Sequence, residues 1–134
     1  MIRVIGLLFI ALVSCFTLGL KVHANTGIAS MVDGLWHDVN SSDFTNGVMI
    51  LAQDGDQIKM SHYVEYKGVA MVEYGIGTRI GNTVEVDVTV TRPIPGWVVE
   101  GKHRLQLSAD GTRLEGHYYS SEGSGPLRFQ RGGK

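Results

Sequence analysis

The strongest constraint on the fold is an alternation of valine with polar residues between positions 83 and 91. Val84, Val86, Val88 and Val90 share one face of an extended chain, and polar residues occupy the other face. A period of two with β-branched side chains is typical of a strand that is packed on one side and hydrated on the other. No stretch outside the N-terminal apolar run shows helical periodicity, so the chain is predicted to be all-β.

Tight-turn dipeptides divide the rest of the chain into hairpins. They are Asp54-Gly55, Lys67-Gly68, Gly81-Asn82 and Asp110-Gly111. Glycine and asparagine tolerate the positive φ angle that tight hairpins require. The spacing predicts eight strands, at residues 34–38, 47–53, 57–66, 69–80, 83–92, 102–108, 112–120 and 127–131. Because most connections are short, consecutive strands are expected to be antiparallel, in an up-and-down meander.

Closure of this meander is expected because an open sheet leaves two unpaired edges. Such edges promote aggregation, and joining the first strand to the last removes them. We therefore predict a single small barrel of about eight strands at residues 34–131, with a two-sheet β-sandwich as the alternative. About 110 residues follow the N-terminal apolar run, which is enough for one domain and too few for two.

The first 24 residues have the organisation of a secretory signal peptide. Arg3 precedes an apolar run at residues 4–20, and Val22-His23-Ala24 fits a signal-peptidase site. The run is shorter than the about 20 residues that a membrane span needs, so no span is expected in the mature protein. We predict cleavage after Ala24, export to the periplasm or out of the cell, and a flexible segment at 25–33.

Cys15 provides an alternative route of processing. Leu12-Val13-Ser14-Cys15 resembles a bacterial lipobox, in which the cysteine is acylated and anchors the protein, although apolar residues still follow it here. Cys15 is the only cysteine in the chain. Cleavage after Ala24 would therefore leave a protein without disulfides, stabilised by its core alone.

The balance of charges argues against nucleic acid as a partner. The chain contains 12 Lys and Arg residues and 13 Asp and Glu residues, with a net charge of −1. Nucleic-acid-binding proteins present a clustered basic face, whereas the basic residues of the predicted barrel alternate with acidic ones. We expect no nucleic-acid partner, and the sequence does not indicate an oligomeric state.

The two ends of the predicted barrel resemble those of the lipocalin and avidin-like proteins, the calycin-type barrels. Gly34-Leu35-Trp36 opens the first strand, and Arg131 closes the last. In those families a Gly-x-Trp near the start packs under an arginine of the final strand, in a cation–π contact. The resemblance implies that Trp36 and Arg131 are structural and that a ligand cavity opens at the opposite end. It transfers no ligand-binding residue to this chain.

Four residues with polar tips lie on apolar faces of the predicted strands: His62, Tyr66, Tyr74 and Tyr118. Tyr74, for example, shares its face with Val72. A barrel of eight strands holds either packed side chains or one small ligand. If these faces point inward, the four residues line an apolar lumen with sparse hydrogen-bonding groups, as ligand sites do. They are the predicted ligand-binding residues, and a filled core with hydroxyls at the rim is the alternative.

The segment at 93–99 is unusually apolar for a connection between strands. Its prolines exclude it from a central strand position. Two arrangements are consistent with this composition. Either the segment folds down as a plug or lid with Trp97 buried, or it presents Ile94 and Trp97 outward as partner-binding residues.

Motifs for catalysis or metal binding are not found in the chain. It has no Gly-x-Ser-x-Gly elbow and no phosphate-binding glycine loop, and its histidines lack the His-x-His or His-x-x-x-His spacing of metal sites. Glu73, Glu85 and Asp87 are expected on adjacent strands, where they either pair across strands or form a polar outer face. We predict no catalytic residue, no metal and no cofactor, and we do not expect an enzyme.

The predicted function is that of an exported, non-enzymatic binding protein, with a small hydrophobic or amphipathic ligand in the barrel lumen. The alternative is a protein-interaction module, such as an inhibitor, an immunity protein or an envelope accessory protein, which uses the segment at 93–99.

Overall fold

A computed structural model describes residues 31–40 and 43–132, and all regular secondary structure in this part of the chain is β-strand. The strands are β1 (Gly34–Asp38), β2 (Phe44–Asp54), β3 (Gln57–Tyr66), β4 (Val69–Ile80), β5 (Thr83–Val90), β6 (Glu100–Leu107), β7 (Arg113–Ser120) and β8 (Gly123–Arg131). The predicted signal peptide at 1–24, the alternative lipidation site at Cys15 and residues 25–30 lie outside the described residues. No helix in the described ranges has the length and apolar character needed to cross a membrane.

The eight strands form a closed antiparallel barrel. Each strand pairs with its neighbours in the chain, and β1 also pairs with β8. This confirms the predicted all-β meander and its closure. The bounds of β1, β3 and β4 agree with the prediction, whereas β2 begins earlier, at Phe44, and β8 begins at Gly123.

The residues that precede β1 form the floor of the barrel. Val32 and Trp36 have no exposed surface, and the indole Nε1 of Trp36 donates a hydrogen bond of 2.9 Å to the carbonyl of Val32. The backbone N–H of Gln53 donates to the Asp33 carboxylate at 2.6 Å. Residues 31–33, which belong to the predicted N-terminal segment, therefore pack against the lower end of the barrel.

Arg131 connects this floor to the last strand through a stacking contact and hydrogen bonds. Its guanidinium carbon lies 4.3 Å from the centre of the Trp36 ring, the contact that the resemblance implies. The same group donates hydrogen bonds of 2.7–2.9 Å to the carbonyls of Gly111, Asp33 and Met31. One side chain thus ties together β8, the turn before β7 and the segment before β1. Trp36 and Arg131 lie at the closed end of the barrel.

The lower half of the barrel is filled by an apolar core. It consists of Val32, Trp36, Met49, Leu51, Ile58, Met60, Val84, Val86, Val88, Leu105, Leu107, Leu114 and Phe129. A second, smaller cluster lies near the other end and contains Val64, Met71, Val90 and Ile94. Three buried polar residues, His62, Glu73 and His103, lie where the first cluster ends.

The inward face of β4 is the opposite of the one predicted. Glu73 and Arg79 are buried, whereas Val72, Tyr74 and Ile76 are 38%, 50% and 66% exposed. The prediction that Tyr74 points into the lumen is therefore wrong. Both faces of β4 contain apolar residues, so hydrophobicity alone favoured the wrong face. The buried Arg79 is satisfied in part by hydrogen bonds to a backbone carbonyl and to a glutamine side chain.

We predict that Arg131→Lys lowers the free energy of unfolding by about 2 kcal/mol, because an ammonium cannot reproduce the planar fork that reaches three carbonyls and stacks on indole. Urea denaturation followed by tryptophan fluorescence measures the change. The control is Arg128→Lys, at an exposed position of the same strand, which should change stability by less than about 0.5 kcal/mol. Equal effects of the two variants would contradict the role given to Arg131.

Candidate functional site

A cavity of about 350 Å³ occupies the half of the barrel opposite Trp36 and Arg131. Its wall includes Val64, Val88, Val90 and Leu127 from the strands, together with aromatic side chains and the segment at 96–99. This is the end at which the resemblance places an opening. The bottom of the cavity is polar, which the sequence did not indicate.

A bulge in β2 allows Asp38 to approach the interior. The pairing of β2 with β3 shifts between Thr45 and Val48, where Asn46 adopts a positive φ of 56°. A Cβ atom on Gly47 would overlap the side chain of Asp38. Glycine is therefore required at this position if the Asp38 carboxylate is to lie against β2.

Asn40 fixes the orientation of the Asp38 carboxylate. Asp38 Oδ1 accepts hydrogen bonds from the backbone N–H of Asn40, at 2.8 Å, and from its side-chain amide, at 2.5 Å. The other oxygen, Oδ2, lies 3.5 Å from Nε2 of His62. This separation is an ion-pair contact and is too long for a good hydrogen bond.

Asp38, His62, Glu73 and His103 form a buried group that we call the polar cluster. His62 and Glu73 face each other across β3 and β4, and His62 Nδ1 lies 2.8 Å from Glu73 Oε1, within hydrogen-bonding distance. His103 reaches the same carboxylate oxygen from β6, with its Nε2 at 3.7 Å. His62, Glu73 and His103 are only 3–6% exposed. The interpretation of Glu73 as part of a polar outer face is therefore wrong.

The two histidines of the polar cluster have opposite pKa shifts. Burial by itself lowers the pKa of His62, but its contacts with Asp38 and Glu73 outweigh burial and raise the pKa to about 9. Burial also lowers the pKa of His103, and repulsion from His62 adds to this, while Glu73 and Asp38 act in the other direction without cancelling it. At neutral pH His62 is an imidazolium and His103 is neutral.

The charge of the polar cluster follows from these protonation states. Two carboxylates, on Asp38 and Glu73, face a single imidazolium on His62. His103 contributes no compensating charge in its neutral form. The bottom of the cavity is therefore negatively charged at neutral pH.

Two ring nitrogens of the polar cluster have no hydrogen-bond partner among the described residues. They are Nε2 of His62 and Nδ1 of His103, and both are buried. An unsatisfied buried polar atom costs about 1–3 kcal/mol, so such atoms are rare in folded proteins. Both residues line the cavity. The polar cluster thus contains unsatisfied hydrogen-bonding groups in residues that line the cavity. In the described part of the chain, no group of three or more His, Cys, Asp or Glu side chains is suited to hold a metal ion.

Three aromatic rings form one side of the cavity mouth. The centroids of Phe44, Tyr66 and Trp97 lie 5.0–5.4 Å from one another, in tilted and edge-to-face arrangements. Such geometries stabilise aromatic pairs beyond the burial of area. Trp97 is half-buried and belongs to the segment at 93–99.

The segment at 93–99 folds down onto the barrel, which is the first of the two arrangements predicted for it. Ile94 is 7% exposed and packs with Val64, Met71 and Val90. The prediction that Ile94 is presented outward to a partner is therefore wrong. Burial of the Ile94 side chain against this second apolar cluster is more favourable in free energy than its exposure to water.

The structure brings together three of the four predicted ligand-binding residues. His62 is buried at the bottom of the cavity, Tyr66 is half-buried at its mouth, and Tyr118 lines its wall with 38% of its surface exposed. The ring of Tyr118 lies across Gly125 of β8, where a Cβ atom would collide with it. Tyr74, 50% exposed on the outer surface, does not line the cavity.

Sequence reasoning missed Asp38, Glu73 and His103. The sequence contained a signal for two of them, Glu73 and His103. The Lys67-Gly68 turn sets a register that places Glu73 opposite His62, and His103 alternates with Leu105 in β6. The position of Asp38 depends on the β2 bulge, which no alternation pattern indicates.

The pKa of His62 predicts a loss of stability in alkaline solution. Its folded-state pKa, about 9, exceeds the ordinary value of 6.5, so its contribution is complete below pH 6.5 and is lost as the pH rises through about 9. The loss is on the order of 3 kcal/mol. Urea unfolding across this range should show the decline in the native protein and in His117→Gln, an exposed control, but not in His62→Gln. A His62 ring that titrates near 6.5 in an NMR experiment would contradict the geometry of the polar cluster.

No protein-family model matches the chain, and neither a curated protein nor a solved structure matches it.

Proposed function

We propose that the protein is an exported, non-enzymatic binding protein that holds one small amphipathic ligand in the open half of the barrel. The cavity volume of about 350 Å³ falls within the range of small-molecule sites, about 300–1,000 Å³. Such sites are mostly apolar, with a few polar groups that fix the orientation of the ligand. The cavity has this arrangement, with apolar residues in its wall and the polar cluster at its bottom.

The observation that carries the proposal is a pair of buried histidine nitrogens without a hydrogen-bond partner, in two residues that line the cavity. A core that served stability alone would satisfy such atoms or replace them with apolar groups. A ligand with a polar head beside these two residues would donate to Nδ1 of His103, while the Nε2–H of His62 faces the Asp38 carboxylate at 3.5 Å. Its apolar body would then lie between Tyr66, Trp97 and Tyr118.

The filled lower half of the barrel limits the size of the ligand. Phe129 lies edge-on to His62, with ring centroids 5.4 Å apart, and belongs to the lower core. A ligand that enters from the mouth therefore stops at the polar cluster.

We also infer that the barrel is of the calycin type. The support is the closed meander of eight antiparallel strands, together with the stacking of Arg131 on Trp36 at the closed end. The alternative function, a protein-interaction module that uses the segment at 93–99, has less support. Ile94 is buried, and Trp97 packs against two other rings.

We predict saturable, one-to-one binding of the neutral fluorescent probe N-phenyl-1-naphthylamine, because its fused rings match the aromatic mouth. Tyr118→Ala should weaken binding about tenfold, the equivalent of about 1.4 kcal/mol, by removing a wall of the cavity. Fluorescence titration measures both affinities, and native mass spectrometry of the exported protein checks for a retained ligand.

Tyr74→Ala is the matched control. It removes the same side chain from the outer surface and should leave the affinity unchanged. The proposal fails if the probe shows no saturable binding, or if both tyrosine variants weaken it equally.

A further inference from the structure

We propose that the cavity selects cationic ligands, specifically a small organic ammonium with an apolar or aromatic body. This inference rests on the proposed function and specifies its ligand class. It follows from the charges around the cavity and from the hydrogen-bonding state of His103.

The charged residues that line the cavity are almost all acidic. Five carboxylates contribute to the wall and rim: Asp38, Asp43, Glu73, Glu100 and Glu122. No lysine or arginine among the described residues lines the cavity. A cleft with an apolar wall and charges of one sign concentrates ions of the opposite sign.

Two cationic groups near this space are the His62 imidazolium and Lys67. His62 lies between Asp38 and Glu73, so two carboxylates already offset its charge. The ammonium of Lys67 lies 4.9 Å from the centre of the Tyr66 ring, but Lys67 does not line the cavity. The interior therefore keeps a negative potential in the presence of both groups.

His103 gives an independent indication of the same ligand class. Its Nε2 faces Glu73 at 3.7 Å, so the proton of the neutral ring is best placed on that nitrogen. Nδ1 is then a hydrogen-bond acceptor, and it is buried without a partner. A ligand that donates a hydrogen bond would satisfy this acceptor.

An ammonium meets both requirements. It provides N–H donors and no acceptor, and its positive charge complements Asp38 and Glu73. A carboxylate or phosphate would offer acceptors to the acceptor Nδ1 of His103 and would face the like charges of Asp38 and Glu73, while the Nε2–H of His62 is already in contact with Asp38 at 3.5 Å. A hydroxyl would satisfy His103 without compensating the negative charge.

The aromatic mouth suits the rest of such a ligand. Tyr66, Trp97 and Tyr118 present rings to the cavity. The faces of these rings attract a cation during its passage and then pack against an apolar body. The ligand would thus bind with its charged end at the polar cluster and its apolar end at the mouth.

Three probes of equal size separate the possibilities: 2-phenylethylammonium, 2-phenylethanol and phenylacetate. Each is titrated against the native protein by calorimetry at neutral pH and moderate salt. We expect the ammonium to bind about tenfold more tightly than the alcohol, and phenylacetate to bind most weakly. Added salt should reduce the difference in affinity between the ammonium and the alcohol, because it screens the carboxylates at the rim.

Variants at the rim test the charge without disturbing the core. Glu100 and Glu122 are exposed, so the double variant Glu100→Gln, Glu122→Gln should fold normally. It should weaken binding of 2-phenylethylammonium about three- to fivefold and leave 2-phenylethanol unaffected. Glu115→Gln, on the outer face of β7, makes one such substitution away from the cavity and should affect neither probe.

His103→Leu tests whether Nδ1 of His103 accepts a hydrogen bond from the ligand. Replacing an unpartnered buried nitrogen with an apolar group should leave the free energy of unfolding unchanged or raised. The same variant should weaken binding of both the ammonium and the alcohol, because both donate to Nδ1, and should leave the preference for the ammonium that the carboxylates impose.

The outcomes separate the inference from the proposed function. Equal binding of ammonium and alcohol, or tighter binding of phenylacetate, would overturn the inference and leave the proposed function intact. Binding of N-phenyl-1-naphthylamine without binding of 2-phenylethylammonium would do the same. Failure of all four probes to bind would overturn both.

Discussion

Closure of the barrel by the pairing of β1 with β8 is the constraint on which the rest of the structure depends. Trp36 is the direct partner of Arg131 in this pairing, so the stacked pair and the last ladder of hydrogen bonds form together. Closure removes both sheet edges and creates a barrel interior. It also sets the polar cluster, because Asp38 from β1 and His103 from β6 approach the His62–Glu73 pair only when the sheet curls into a tube.

Most of this fold could be predicted from the sequence. Turn dipeptides and a period of two define β1, β3 and β4 to the residue. The beginning of β8 could not be predicted, because it contains Gly123, Gly125 and Pro126, residue types that normally indicate a loop. Gly125 stays in the strand because the Tyr118 ring of the neighbouring strand lies across it and covers its backbone.

The choice of which face of β4 points inward shows where reasoning from side-chain polarity fails. Its outer face contains Val72, Tyr74 and Ile76, while its inner face contains Glu73 and Arg79. Counting apolar residues therefore favours the wrong side. The correct orientation depends on cross-strand partners, since Glu73 lies opposite His62 and Arg79 reaches a glutamine of β2. The candidate site was predictable only as far as His62, Tyr66 and Tyr118, whose own alternation places them inward.

The polar cluster is hard to explain as a device for stability. Taking Asp38, Glu73 and a charged His62 out of water is costly, and apolar residues of similar volume often stabilise a core equally well or better. The lower half of the same barrel shows that this chain can build such an apolar core. The buried carboxylates and histidines lie where the apolar packing ends and the cavity begins. Their position, next to a space with unpartnered histidine nitrogens, is what a site for a charged or strongly polar ligand requires and what a filled barrel would avoid.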